Sequence, residues 1–549
     1  MSVSETALDA TGLSLGRRAE LALERTGGAS LLIFEDQRWT GAQLAARSRR
    51  LSGGLREAGL APGDRVVVCM ANCPEVGITY QAVWRAGAAV TPVLFLLGEH
   101  ELRHVITDSG AAFAVTTPEF LDKVRAAGRG VPTLRAVVLA EGAVPPGTAD
   151  GSDGGPPVLS FAELEQADEG DLVDVASTEM AALLYTGGTT GRAKGVMISH
   201  DNLSAAAASA YQARIGDGLP GLSALPMSHV YGLSVSVMSM HSTQPGLAVL
   251  MRWFEPVQWL RLVEQHAIAQ GPIVPQMARM LLDQPLEKYN LSSLRRITSG
   301  GAPLPPDVAR EWSERLPWVE LVEGYGCTEA TAVVTSMPVG DVRYGSVGRA
   351  APGVELRIER PDGTAAAPGE DGEICVRGPA VMMGYWRSPE ATEQVMRGGW
   401  LHTGDVGHLD EDGFLYVVDR IKDVIIRGGF NVYPRDVEDA MTSHPEVAAC
   451  GVVGRPDPRH GEEVVAFVQL TPGATVTPEE LIAYCRERVG AVKYPREVHI
   501  LPALPLTSVL KTDRKALRAM LADKPADKAA GGPAEGAEDE AGEGDAGSA

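Results

Sequence analysis

Tyr185-Thr186-Gly187-Gly188-Thr189-Thr190-Gly191-Arg192-Ala193-Lys194-Gly195 concentrates four glycines, three threonines and one lysine in a single short run. Apolar, strand-like residues flank it, Ala181 to Tyr185 before and Val196 to Ile198 after. Glycine permits tight turns and lets backbone N–H groups approach an anion closely. Threonine hydroxyls add donors, and lysine adds a mobile positive charge. That is the chemistry of a polyphosphate cradle. A Gly-rich hairpin loop with no ligand is the alternative. Lysine here precedes glycine and a strand pattern follows. In a P-loop the order is glycine then lysine and a helix follows, so the run argues against a P-loop NTPase.

Working outward, the 549 residues exceed one ordinary domain and can bury large cores. Hydrophobic content of 44% with 22% charge fits a globular chain. The net charge of −22 argues against nucleic-acid binding, which needs a basic stripe. From about Ala522 the sequence is rich in Ala, Gly, Glu and Asp, and reads as a disordered acidic tail over 523–549. The six cysteines form no C-x-x-C pair, so buried reduced thiols are expected rather than a zinc site or disulfides. No signal-peptide core is visible, and the apolar run Ala88 to Leu97 is broken by Pro92. No membrane span is expected, and a cytoplasmic location follows.

From Ser14 to Asp171 helix and strand patterns alternate. Thr40 caps a helix to Ala58, and Arg65 to Met70 reads as a buried strand. A layered α/β architecture is expected, with a second α/β block from Met180 to about Pro338. A β-rich subdomain follows, from Gly345 to Asp419. Beyond Arg420 a small α+β unit begins. Its helix from Pro478 opens with the capping box Thr477-Pro478-Glu479-Glu480, and Val464 to Leu470 and Glu497 to Leu501 read as strands. The expected division is 1–420, 421–522 and the tail, with a hinge at the short junction.

Gly324-Tyr325-Gly326-Cys327-Thr328-Glu329 lacks the third glycine of a dinucleotide fingerprint, and no βαβ pattern opens there. A ring that stacks on a base, a hydroxyl for phosphate and a carboxylate for Mg²⁺ suit this turn better. His408 to Asp419 is a near miss to a calcium loop, but its second half reads as a strand and Asp412-Gly413 as a hairpin turn.

Together with Ser299 to Pro303, the run Gly399 to Asp405, Asp419-Arg420-Ile421-Lys422-Asp423, Arg427 to Pro434 and Leu225 to Gly232, these segments resemble the adenylate-forming superfamily of acyl-CoA synthetases, luciferases and peptide-synthetase adenylation domains. The match is greatest to fatty acyl-CoA ligases. The resemblance implies a mobile C-terminal domain and two half-reactions that use ATP, Mg²⁺ and CoA. It implies that Thr186, Gly188, Thr189, Thr190, Gly191 and Lys194 cradle phosphate. Gly301, Ala302 and Pro303 would contact adenine, with Tyr325 packed on it. Thr328 would touch the α-phosphate and Glu329 would hold the metal. Asp405 would bind ribose, Arg420 ribose and phosphate, and Gly429 would line the pantetheine path. Lys422 falls at the hinge, Lys511 at the catalytic lysine and His229 at the acyl site. Leu510 stands where the family has glycine.

By the same resemblance, amino-acid-activating members carry an aspartate in this region to pair with the substrate ammonium, and none lies between Pro226 and Met240. A simple carboxylic acid therefore fits better than an amino acid. The run Val230 to Met240 suits an apolar tail, which points to medium- or long-chain fatty acids. An aryl-CoA ligase, an acyl-AMP ligase loading a carrier protein, and a non-catalytic nucleotide-binding scaffold are the alternatives. A homodimer stays open.

Overall fold

The computed structural model describes residues 12–186, 192–506 and 512–522. The fold is mixed α/β, with a large N-terminal part and a small C-terminal one. Two large sheets, mainly parallel, dominate the N-terminal part. The first has eight strands and centres on Arg65–Cys69, which is flanked in parallel by Ala89–Pro92 and Phe113–Thr116. Val66, Val67 and Val68 are buried on both faces, as unbroken apolar runs in parallel sheets require. The Ala88 to Leu97 run supplies one of these strands, and no described helix is long and apolar enough to cross a membrane. The second sheet has seven strands, with Gln270–Ile273, Arg296–Ser299 and Glu320–Glu323 in parallel at one side.

The sheets do not follow the sequence blocks. Leu31–Phe34 and Gln37–Thr40 leave the N-terminal block to join the second sheet. Met180–Thr186 and Lys194–Ser199 join the first sheet, where Met180–Thr186 runs parallel to Ala89–Pro92. Trp84 on a helix of the first block donates its Nε1–H to Ala181 O at 2.9 Å, which ties the two segments together. Only long-range pairing sets this exchange, since a strand's own pattern does not name its neighbour.

Local chemistry accounts for the helices that the sequence delimits. Thr40 and Gln43 form a reciprocal capping box at the helix Gly41–Glu57, as Thr477 and Glu480 do at Pro478–Lys493. A third sheet joins Glu355–Glu359, Gly372–Arg377 and Trp400–Leu409, the last paired with Leu415–Arg420 in a hairpin. At its turn Asp410 Oδ1 accepts from Asp412 N and Phe414 N, and Gly413 takes φ 80°. Arg343 pairs with both Asp410 and Asp412, so these acids serve the turn as expected. Residues beyond Arg420 build a separate five-stranded sheet on Gly461–Leu470, with Glu497–Leu501 beside it. All six cysteines are free thiols.

Candidate active site

The two strands that flank the Gly-rich run are neighbours in the first sheet. Met180–Thr186 and Lys194–Ser199 pair antiparallel, with Thr186 opposite Lys194. Gly188, Thr189, Thr190 and Gly191 lie outside the described residues, as does Lys511. Thr186 and Arg192 to Lys194 line a cavity of about 2010 Å³ at the carboxyl ends of the second sheet's parallel strands. Ligands of open α/β sheets bind in that position. Thr186, Lys194, His229, Gly301, Ala302, Pro303, Tyr325, Thr328, Glu329, Asp405, Arg420 and Lys422 all line this cavity. Gly429 does not; it sits in an exposed turn with φ 82°. The chain that follows Lys511 does reach the cavity, through Thr512 to Lys515.

Gly326 explains the shape of the turn that carries Thr328 and Glu329. A Cβ there would lie 1.5 Å from Ala332 O, so only glycine lets the chain fold back on itself. Thr331 and Ala332 take φ of 52° and 80°, strained values for residues with side chains. Tyr325 O accepts from Val334 N and Thr335 N, each at 3.0 Å, and these bonds hold the loop.

The polar groups form two small assemblies. In one, Tyr325 O–H donates to Asp405 Oδ2 at 2.5 Å, and Arg420 Nε lies 3.2 Å from Asp405 Oδ1. Asp405 and Arg420 face each other across the hairpin, so strand register brings them together. Burial, with Asp405 beside it, pushes the Tyr325 phenol far above its usual value. In the other, Tyr385 O–H donates to Glu329 Oε1 at 2.8 Å, while Lys194 Nζ lies 5.2 Å from the Tyr385 ring centroid. Tyr385 orients a carboxylate that fits a divalent cation by charge and hardness. No sequence motif singled it out, because it enters from an edge strand far along the chain. Glu323 was missed as well. It ends the strand Glu320–Glu323, lines the cavity, and accepts from Leu304 N at 2.8 Å. Burial raises its carboxyl to about 7. An acid directly after the apolar pair Leu321-Val322 and just ahead of Gly324 was the signal.

His229 caps the helix Val230–Met238, with Nδ1 accepting from Tyr231 N at 3.3 Å. Two roles divide this helix. Gly232, Leu233, Ser234 and Val237 are buried in the protein core, while Tyr231, Val235 and Met238 line the cavity. Spacing of i, i+4 and i+7 places those three on one face. Only part of the apolar run is therefore available to a ligand.

Residues 19–386 match the AMP-binding enzyme family, and residues 436–511 match the AMP-binding enzyme C-terminal domain. The chain is 37% identical over 499 residues to a feruloyl-CoA synthase of an Amycolatopsis species, covering 89% of this chain and 95% of the relative. It is 35% identical over 511 residues to a long-chain-fatty-acid–CoA ligase of Bacillus subtilis, covering 88% and 90%. Among solved structures, ATP-bound MatB from Rhodopseudomonas palustris superposes with a TM-score of 0.82 at 31% identity, covering 92% of this chain and 99% of that one. With both family regions present and the cavity assembled from their motifs, the chain belongs to the AMP-binding enzyme family of the adenylate-forming superfamily, as an ATP-dependent acyl- or aryl-CoA ligase that uses ATP, Mg²⁺ and CoA.

Proposed function

We propose that the chain activates medium- or long-chain fatty acids as acyl-AMP and transfers the acyl group to CoA. The observation that carries this reading is the Tyr231, Val235 and Met238 face, an apolar wall in the same cavity as Lys194, Glu329 and Asp405. An acyl tail on that wall places its carboxylate towards the polar half, near His229. A carboxylate oxygen attacks the α-phosphorus of ATP, the bond to pyrophosphate breaks, and pyrophosphate leaves. Two anions must approach, so cationic groups provide the main catalytic effect. Lys194 serves the phosphates, and Lys511 bridges the substrate carboxylate and the α-phosphate. Thr328 contacts the α-phosphate, and Asp405 with Arg420 holds the ribose. The Glu329 carboxylate, oriented by Tyr385, would hold Mg²⁺, which supplies charge neutralisation when bound.

The C-terminal domain then turns about Lys422. This withdraws Lys511 and brings the Gly429 turn to the cavity. The CoA sulfur attacks the acyl carbonyl carbon, and AMP leaves with the carboxyl oxygen. Gly429 outside the cavity, with Thr512 to Lys515 lining it, fits the first of these two arrangements. The division at Arg420 and Lys422 belongs to the same proposal.

An aryl acid is the second reading, favoured by the 37% identity to a feruloyl-CoA synthase. A panel of fatty, aryl and amino acids, read by pyrophosphate release with and without CoA, tests both. Fatty acids should release pyrophosphate and give acyl-CoA. Amino acids should do neither. Turnover confined to aryl acids replaces the first reading with the second, and acyl-AMP that CoA does not discharge points to a carrier protein.

A further inference from the structure

The cavity that holds the apolar wall is also lined by a charge that a plain alkyl chain does not use. Arg214, in the loop after the helix His200–Gln212, lines the same cavity as Tyr231, Val235 and Met238. Its position along the slot follows from Asp217. Ser242 Oγ donates to Asp217 Oδ1 at 2.6 Å, and Thr243 N and Oγ1 donate to Oδ2 at 2.9 and 2.6 Å. These bonds pin the 214–219 loop to the turn that follows the Val230–Met238 helix. His229 caps the other end of that helix, whose nine residues span about 13 Å at a rise near 1.5 Å each.

Arg214 is half-buried and forms no ion pair among the described residues. Among the described residues its guanidinium makes one hydrogen bond, a long one, Nη2 donating to Leu219 O at 3.4 Å, and its guanidinium carbon sits 6.0 Å from the Tyr211 ring centroid. Asp217 lies close enough to favour the charge, but burial outweighs it and lowers the Arg214 pKa. A guanidinium has five N–H donors. An alkyl end packed there would deepen the desolvation of an unpaired cation, whereas an oxygen would accept a charge-assisted hydrogen bond.

We propose that Arg214 makes the far end of the acyl slot a subsite for an oxygen acceptor, so that the preferred acids carry a distal oxygen, either a phenolic hydroxyl or a second carboxylate. This rests on the CoA-ligase reading above and selects, among the fatty and aryl acids of its two readings, those that carry an oxygen at the distal end. Two matched pairs test it: octanoate against octanedioate, and cinnamate against 4-hydroxycinnamate. The readout is kcat/KM for pyrophosphate release by the full-length chain, as a ratio within each pair. In the unaltered protein the oxygenated member of one pair should lead by about tenfold or more, as expected for a hydrogen bond to a charged group. The pair that responds identifies the oxygen. Arg214→Met should bring that ratio towards one, and Arg214→Lys should retain part of it. Ratios near one for both pairs in the unaltered protein overturn the proposal even if neither variant folds, as does an unchanged ratio in Arg214→Met for the pair that responds. Octanoate and cinnamate turned over without preference would leave the ligase reading intact, whereas no turnover of any acid would overturn both.

Discussion

Glu323 shows how one side chain couples the site to stability. Its carboxyl titrates at about 7 in the folded chain, above the usual carboxylate value, because burial disfavours its charge. The folded protein therefore holds a proton that the unfolded chain has lost. Its contribution to stability is full below about pH 4.5 and disappears as pH rises through about 7. The buried His200 and His241, both held near 4, act in the opposite sense. Their stabilisation is lost as pH falls from about 6.5 through 4. Comparing Glu323→Gln with the unaltered protein isolates the carboxyl, and glutamine keeps an acceptor for Leu304 N. The variant's stability relative to the parent should rise between pH 5 and pH 8, by up to about 3 kcal/mol. Melting curves across that range check it, and parallel pH profiles for the two proteins would contradict it. Lys194, Glu329 and Asp405 were legible in the sequence because glycines or strands mark their positions. Glu323 and Tyr385 were not, because burial and a partner 56 residues away in the chain give them their properties.

Among the elements, the Gly326 turn is the most constrained, since two loop residues already carry positive φ. Gly326→Ala would drive a methyl into Ala332 O, a backbone atom with no rotamer to relieve it. Overpacking of this kind costs about 1–3 kcal/mol, and more where backbone must move. The variant should melt several degrees lower and lose MgATP binding, read by calorimetry. Retained binding at the parental melting temperature would mean that the loop has room that the structure denies. The acyl-site helix carries a comparable constraint. A Cβ on Gly232 would approach Pro226 O to 2.2 Å, so glycine seats the first turn that carries His229. Capping at Thr40 and Thr477 was readable from residue type and spacing alone. The two faces of the Val230–Met238 helix were not, because its apolar residues look alike until packing separates them.

At the scale of the whole molecule, Arg514 joins three acids around the junction. It pairs with Asp419 at 3.2 Å, Asp423 at 3.4 Å and Glu438 at 2.8 Å, while Arg435 N donates to Asp419 Oδ2 at 3.0 Å. The helices Pro434–Thr442 and Arg514–Ala522 are thus tied to the end of the strand Leu415–Arg420, next to the short turn Ile421–Asp423 that carries Lys422. Lys422→Pro should restrict φ within that turn. Thioester formation should then fall more than adenylation, with acyl-AMP accumulating on the enzyme in single-turnover assays. Equal loss in both half-reactions would indicate misfolding instead. Lys511→Ala should act on the other half-reaction. Removal of one transition-state contact lowers rate by about 10²–10³. Adenylation should fall to that extent, while supplied acyl-AMP and CoA still give acyl-CoA near the parental rate. Normal adenylation by that variant would transfer the role to Lys515, which lines the cavity.

What the sequence determined by itself was the local structure of contiguous segments: the strands either side of the Gly-rich run, the hairpin turn at Asp412-Gly413 and the helix caps. Each is specified within a few residues by backbone freedom, side-chain donors and short-range periodicity. Tertiary structure alone decided which strands exchange between the two sheets and which face of the Val230–Met238 helix meets the cavity. It also decided that Tyr385 reaches Glu329 and that Arg214 lines the same cavity as the Val230–Met238 helix. Those outcomes depend on contacts between distant segments, and on the desolvation those contacts impose. Neither is a property of any single stretch of chain.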